Sequence, residues 1–85
     1  MNITFSDQAW EDYIYWQKID KRLTKKINDL IKEIKRTPFE GTRKPEPLKH
    51  NLAGFWSRRI NEEHRIIYEI SNSAILIASC RYHYE

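Results

Sequence analysis

All three prolines of this 85-residue chain, Pro38, Pro45 and Pro47, fall in one ten-residue stretch that also holds Gly41, one of only two glycines. Proline fixes its own φ, lacks an N–H and pushes the residue before it out of the helical region. The stretch therefore parts a segment patterned for helix from one patterned for strand. With Lys, Arg and Glu mixed in, it reads as an ordered loop rather than a flexible linker. Upstream, Ser6 stands where an N-cap belongs, with Asp7 behind it to complement the helix dipole. The pattern predicts a helix over about 7–18, whose Trp10, Tyr13, Ile14 and Trp16 recur at three- and four-residue intervals and are assigned to the core. Asp20 can cap a second helix reaching to about residue 36, with Leu23, Ile27, Leu30, Ile31 and Ile34 on one face. Helices joined this closely form an αα-hairpin, and Thr37-Pro38 ends it.

Downstream of the prolines, residues 48–52, 55–60, 64–71 and 74–82 read as strands, parted by Gly54, by Asn61-Glu62-Glu63 and by Asn72-Ser73; residues 2–5 form another. Close spacing means antiparallel hairpins. A three-residue loop at Asn61-Glu62-Glu63 puts Trp56, Arg58, Ile60, Ile66, Tyr68 and Ile70 on one face, whereas a two-residue loop mixes Arg65 and Glu69 into it. The first register buries more apolar surface and sets Arg59 opposite Arg65 on the other face. The order βααββββ predicts an α+β fold: two N-terminal helices packed on one face of an antiparallel β-sheet, the other face open. Residues 1–85 are expected to form one domain, since a chain this short buries only roughly 60% of its unfolded surface. Its core then needs the three Trp, five Tyr and three Phe.

The single cysteine, Cys80, excludes a disulfide framework and reads as a small buried hydrophobe, in keeping with a reducing cytosol. No run approaches the roughly 20 apolar residues of a membrane span, and no charged n-region followed by an apolar run opens the chain. A cytoplasmic, membrane-free protein is the expectation. Net charge is +3 with a pI near 9.1, which permits a nucleic-acid partner without requiring one. Between residues 18 and 36, eight cations, Lys21, Lys25 and Lys26 among them, face three anions. That segment is a candidate footprint for a large polyanion; the plain alternative is a solvated helix face.

Arg59 and Arg65 opposite each other would repel, so the pair points to an anion between them, and arginine suits phosphate because its planar fork donates two parallel hydrogen bonds. Glu46 lies in Lys44-Pro45-Glu46-Pro47-Leu48-Lys49, a stiff segment that holds a carboxylate at little entropic cost, with Lys49 near enough to add a second cation. His83, between Tyr82 and Tyr84, has the side chain whose unperturbed pKa of about 6.5 suits proton transfer near neutrality. His50, His64 and His83 have no ligand-like spacing and there is no phosphate-cradling glycine loop, so neither a metal nor another cofactor is expected. Each reading has its bland counterpart: a solvated glutamate, arginines paired with Glu63 or Glu69, a histidine stacked between tyrosines.

Taken together, Trp10-Glu11-Asp12-Tyr13, Thr37-Pro38-Phe39-Glu40-Gly41, the segment from Lys44 to Lys49, Trp56-Ser57-Arg58-Arg59-Ile60, Glu63-His64-Arg65 and Cys80-Arg81-Tyr82-His83-Tyr84 resemble the YoeB toxins of bacterial toxin–antitoxin pairs, within the RelE/ParE group, over essentially the full length. The resemblance implies a ribosome-dependent endoribonuclease that cuts messenger RNA in the A site of the small ribosomal subunit and is held inactive by a cognate, YefM-like antitoxin. It implies Glu46 as base, Arg65 and Arg59 with Lys49 as phosphate contacts, His83 as acid and Tyr84 as an orienting or stacking group. The reaction would be attack of the ribose 2′-hydroxyl on the adjacent phosphorus, with Lys21, Lys25 and Lys26 serving ribosome docking. Two readings compete: a gyrase-poisoning toxin like the ParE branch, which would need neither Glu46 nor His83, and a non-catalytic RNA-binding domain. Monomer or homodimer stays open.

Overall fold

Two side-chain caps and one proline set the helical half. In the computed structural model, which describes residues 1–82, strand β1 (Asn2–Phe5) leads into helix α1 (Asp7–Ile19), where Ser6 Oγ accepts from Ala9 N–H at 3.1 Å. Asp20 ends α1 by donating its N–H to Trp16 O at 2.9 Å and opens helix α2 (Lys21–Arg36) by accepting from Leu23 N–H at 3.0 Å. Pro38 follows directly on the C-cap, Thr37. The inward stripe of α2 is the expected one, with Leu23, Ile27, Leu30, Ile31 and Ile34 all buried.

Strands β2 (Glu46–Pro47), β3 (Trp56–Arg59), β4 (Arg65–Ser71) and β5 (Ala74–Ser79) form a sheet of order β1-β5-β4-β3-β2. Register in the central hairpin is the apolar-burying one, with Trp56 opposite Tyr68, Arg58 opposite Ile66 and Arg59 opposite Arg65. The sheet is mixed rather than purely antiparallel, because β1 pairs parallel with β5, Ile3 opposite Ile75. Parallel strands cannot be joined by a tight turn, and here the helices and the other three strands lie between β1 and β5 in the chain.

Two further expectations are corrected. Residues 48–52 are not a strand: beyond Leu48, whose N–H still bonds Phe55 O at 2.8 Å, the chain turns through a 3₁₀ helix (His50–Leu52) with His50 at φ 59°. Leu48 and Leu52 are four residues apart, one helical turn, a spacing that periodicity alone cannot tell from strand in so short a run. The aromatics of α1 are also not all core, since Trp10 is 50% exposed and packs against Phe5 and Tyr13 at the rim. The buried stripe is instead Ala9, Asp12 and Trp16, three and four residues apart, with a carboxylate in its middle.

Asp12 is inside because a β-bulge sends it a partner. Ile67 faces Ser79 while Tyr68 faces Ile77, which leaves Ala78 as an extra residue in β5. The bulge reverses the alternation, turning Ser79 to the sheet's outer face and Cys80 towards α1. There Cys80 N–H donates to Asp12 Oδ2 at 3.0 Å, and its Sγ lies 3.7 Å from Ala9 O. Burial first, then the Asp12 charge, pushes the Cys80 thiol up to about 12 from an ordinary 9.0. The folded-state value lies above the unfolded one, so this contribution is fully present below pH 9 and is lost as pH rises from there to about 12. We expect urea-measured stability to fall above pH 9 by up to about 1.4 kcal/mol per pH unit, and less steeply in Cys80→Ala. An equally steep fall in that variant below pH 10 would place the titrating group elsewhere.

Candidate active site

The face of the sheet away from the helices collects the polar residues of β2, β3 and β4. Side chains opposite one another across a ladder share a face, and neighbours along a strand do not. Glu46 is opposite Ser57, and Ser57 is opposite Ile67, so these lie in one row; Arg59 and Arg65 form the next row on the same face. Arg65 Nη1 leans back across the rows to Ser57 Oγ at 3.4 Å. Glu46 is exposed, and Arg59 makes only a loose contact with Glu62 at 3.9 Å, a pair too open to water to hold it. The site thus presents one carboxylate and two guanidiniums to solvent from rigid strands.

That face is less open than expected. Ser57 and Ile67 are buried in it, 2% and 1% exposed, and a Cβ added at Gly54 would lie 3.8 Å from Glu69 Oε2, so the chain after the 3₁₀ turn folds back over the end of β4. Lys49 is exposed at the head of that turn, and among the described residues no hydrogen bond or ion pair joins it to Glu46, Arg59 or Arg65. His83 and Tyr84 lie outside the described residues. Lys21, Lys25 and Lys26 are all exposed on α2, where Lys25 pairs with Asp29 at 3.1 Å. They belong to a different surface from the arginine pair.

The loop upstream of Glu46 is held by an assembly that sequence reasoning passed over. Arg58 projects to the helix side, where it is fully buried and donates to Thr37 O, to Glu40 O at 2.8 Å, to Thr42 O at 3.3 Å and, through Nε, to Tyr68 OH at 3.2 Å. Tyr68 OH in turn donates to Pro38 O at 2.7 Å. Burial, opposed by the Arg58 cation, raises the Tyr68 pKa above its ordinary 10.0 and keeps the phenol a donor. Together these bonds staple the proline loop to the sheet just upstream of β2. Gly41 sits in that loop at φ 109°, and a Cβ there would meet Thr37 Oγ1 at 3.1 Å. The signal was available, because the chosen register puts an arginine on an otherwise apolar face, and a buried cation needs several acceptors.

His64 and Asp12 were also passed over. His64 is buried, edge-on to Trp16 with ring centroids 4.7 Å apart, and its Nδ1 accepts from Tyr82 N–H at 2.7 Å. No sequence spacing announces that contact.

Residues 5–84 match the family described as YoeB-like toxin of bacterial type II toxin–antitoxin system. Toxin YoeB of Escherichia coli (strain K12) is 63% identical over 84 residues, covering 99% of this chain and all of that protein. Among solved structures, the YoeB/ParE toxin from Agrobacterium tumefaciens superposes with a TM-score of 0.96 at 50% identity, covering 99% of this chain and 100% of that one. Two Staphylococcus aureus structures, one of a YoeB–YefM complex and one of a YoeB dimer, give TM-scores of 0.91 and 0.92 at 56% and 58% identity, each covering 99% of this chain and 98% of the matched one.

Proposed function

The chain belongs to the YoeB-like toxins of bacterial type II toxin–antitoxin systems, and from that membership we propose that it is a ribosome-dependent endoribonuclease that cuts messenger RNA in the A site. Glu46 takes the proton of a ribose 2′-hydroxyl, and the oxygen attacks the adjacent phosphorus. Arg65, assisted by Arg59 and Lys49, stabilises the charge on the phosphorane; His83 gives a proton to the departing 5′-oxygen and Tyr84 orients or stacks on the substrate. The products are a 2′,3′-cyclic phosphate and a 5′-hydroxyl, and neither a metal nor another cofactor takes part. The supporting observation is the shared face of Glu46, Arg59 and Arg65, with the two cations held opposite each other across the β3–β4 ladder.

The partners in this reading are a YefM-like antitoxin, whose acidic segment folds over the arginine face and the terminus beyond Tyr82, the small ribosomal subunit with its message, and a second copy of the chain. Primer extension on a translated message with purified protein and ribosomes tests it. A ribosome-dependent cut that the antitoxin suppresses is expected; growth arrest without any cut belongs to a protein-binding toxin instead.

Docking is assigned to α2. Each phosphate contact adds about 0.7–0.9 to the slope of log affinity against log salt, so reversing Lys21, Lys25 and Lys26 to Glu should lower the slope of ribosome binding by roughly two units and weaken binding. Lys25 is held only by an exposed pair and is free to exchange Asp29 for a phosphate. A slope equal to the wild type's would move the docking surface off this helix.

A further inference from the structure

Among the described residues, two adjacent pairs without glycine take left-handed backbone, and only one of them has the usual reason. Asn72 and Ser73, at φ 49° and 61°, form the two-residue loop of the β4–β5 hairpin, where the favoured turn needs positive φ at both positions and asparagine tolerates it. Arg43 and Lys44, at φ 67° and 50°, close no hairpin, and their long side chains lack the short-range hydrogen bonds that admit asparagine to this region. Backbone of this kind is costly for a residue with a Cβ, and it clusters where a site makes use of it.

The costly pair is docked on the strand that carries Arg59. Arg43 O accepts from Arg59 N–H at 2.8 Å, and Thr42 O accepts from the buried Arg58 at 3.3 Å. Glu46 lies opposite Ser57 on the same edge of β3, and Arg59 lies opposite Arg65, so Arg43 continues the arginine row past the end of β2. Arg43 and Lys44 are both exposed. The plain alternative is an ion pair with α2, whose Asp29 and Glu33 line the hollow beside Arg43. Those carboxylates are already engaged, by Lys25 at 3.1 Å and by Arg36 at 2.8 Å, and among the described residues no ion pair holds Arg43 or Lys44. We propose that Arg43 and Lys44 bind backbone phosphates of the single-stranded message beside the one at Glu46, an assignment that rests on the ribonuclease reading above. Phosphate contacts set the register and orientation of a strand and carry no base identity, so this pair would position the message without reading its codon.

Two double variants separate charge from backbone strain. Arg43→Gln with Lys44→Gln removes the charges and keeps a Cβ at each position, whereas Arg43→Asn with Lys44→Gly removes them and supplies residues suited to left-handed backbone. Binding of a fluorescein-labelled oligouridylate is read by anisotropy over a range of salt. Both variants should bind about 20-fold more weakly at about 0.1 M salt and lower the slope of log affinity against log salt by about 1.4, two single-strand phosphate contacts at about 0.7 each. Only Arg43→Asn with Lys44→Gly should melt above the wild type. With ribosomes and translated message, the Gln pair should raise KM and leave kcat unchanged, since a contact with a flanking phosphate serves substrate and transition state alike. Ribosomes without message should bind both variants as they bind the wild type. A salt slope equal to the wild type's, a melt no higher in the Asn-Gly chain, or a loss confined to ribosome binding overturns the inference; the last result would give the surface to ribosomal RNA. The oligouridylate measurement needs no cleavage, so a wild type that cuts no message but shows these shifts sinks the ribonuclease reading alone. A wild type that cuts, beside variants with its RNA slope, sinks this inference alone.

Discussion

Glu46→Gln is expected to slow message cleavage by about 10²–10⁴-fold, the contribution of a well-placed proton acceptor, while its thermal melt stays within a degree or two of the wild type's. The second half of that expectation follows from position. Glu46 is exposed in a two-residue edge strand, and its amide side chain would be as well solvated as the carboxylate. What the substitution removes is basicity at a point held by Pro45 and Pro47 on either side and by the Arg58 staple behind it. A folded Glu46→Gln chain cutting at the wild-type rate would remove Glu46 from the mechanism and leave the arginine pair without its base.

The largest loss of stability is expected at Arg58, which is fully buried on the helix side of the sheet. Arg58→Met fills comparable volume but leaves Thr37, Glu40 and Thr42 carbonyls without their donor and Tyr68 without one of its partners. Arg58 carries the only charge in this network, so its removal leaves neutral acceptors without a donor, at about 1–3 kcal/mol for each one kept from water, against a total of about 5–15 kcal/mol for a typical domain. The variant should therefore melt far below the wild type and unfold at much lower urea. Arg59→Met, one residue along and facing water, should change stability by less than about 0.5 kcal/mol. The two arginines thus separate fold from function: the first variant should lose both, the second only cleavage. A loss below about 1 kcal/mol at Arg58 would mean that water replaces its bonds, and that the loop is not held as described.

The parts of the fold legible in the sequence are those decided by neighbours along the chain. Ser6 and Asp20 cap because each offers an oxygen three residues before an orphan N–H; α2 shows its stripe because a 3.6-residue repeat needs no knowledge of what it packs on. The β3–β4 register follows from a three-residue loop and the apolar face it creates. The Arg59–Arg65 pairing was legible for the same reason, since a hairpin register is a local fact, whereas Glu46, read as part of the proline loop, pairs across the sheet with Ser57, a partner that no local pattern names.

Tertiary structure alone decided the rest. The parallel pairing of β1 with β5 joins residues more than seventy positions apart, and nothing in either strand names its partner. The bulge at Ala78 interrupts the pairing of β5 with β4, and by shifting the alternation one residue it determines that Cys80, not Ser79, meets α1. Asp12 and His64 then become interior residues because the chain that leaves the bulge offers them N–H groups to accept. Most buried polar side chains lie where their hydrogen bonds are met, and for Asp12 and His64 those partners are assigned by packing across the sheet, after the local patterns have done all they can.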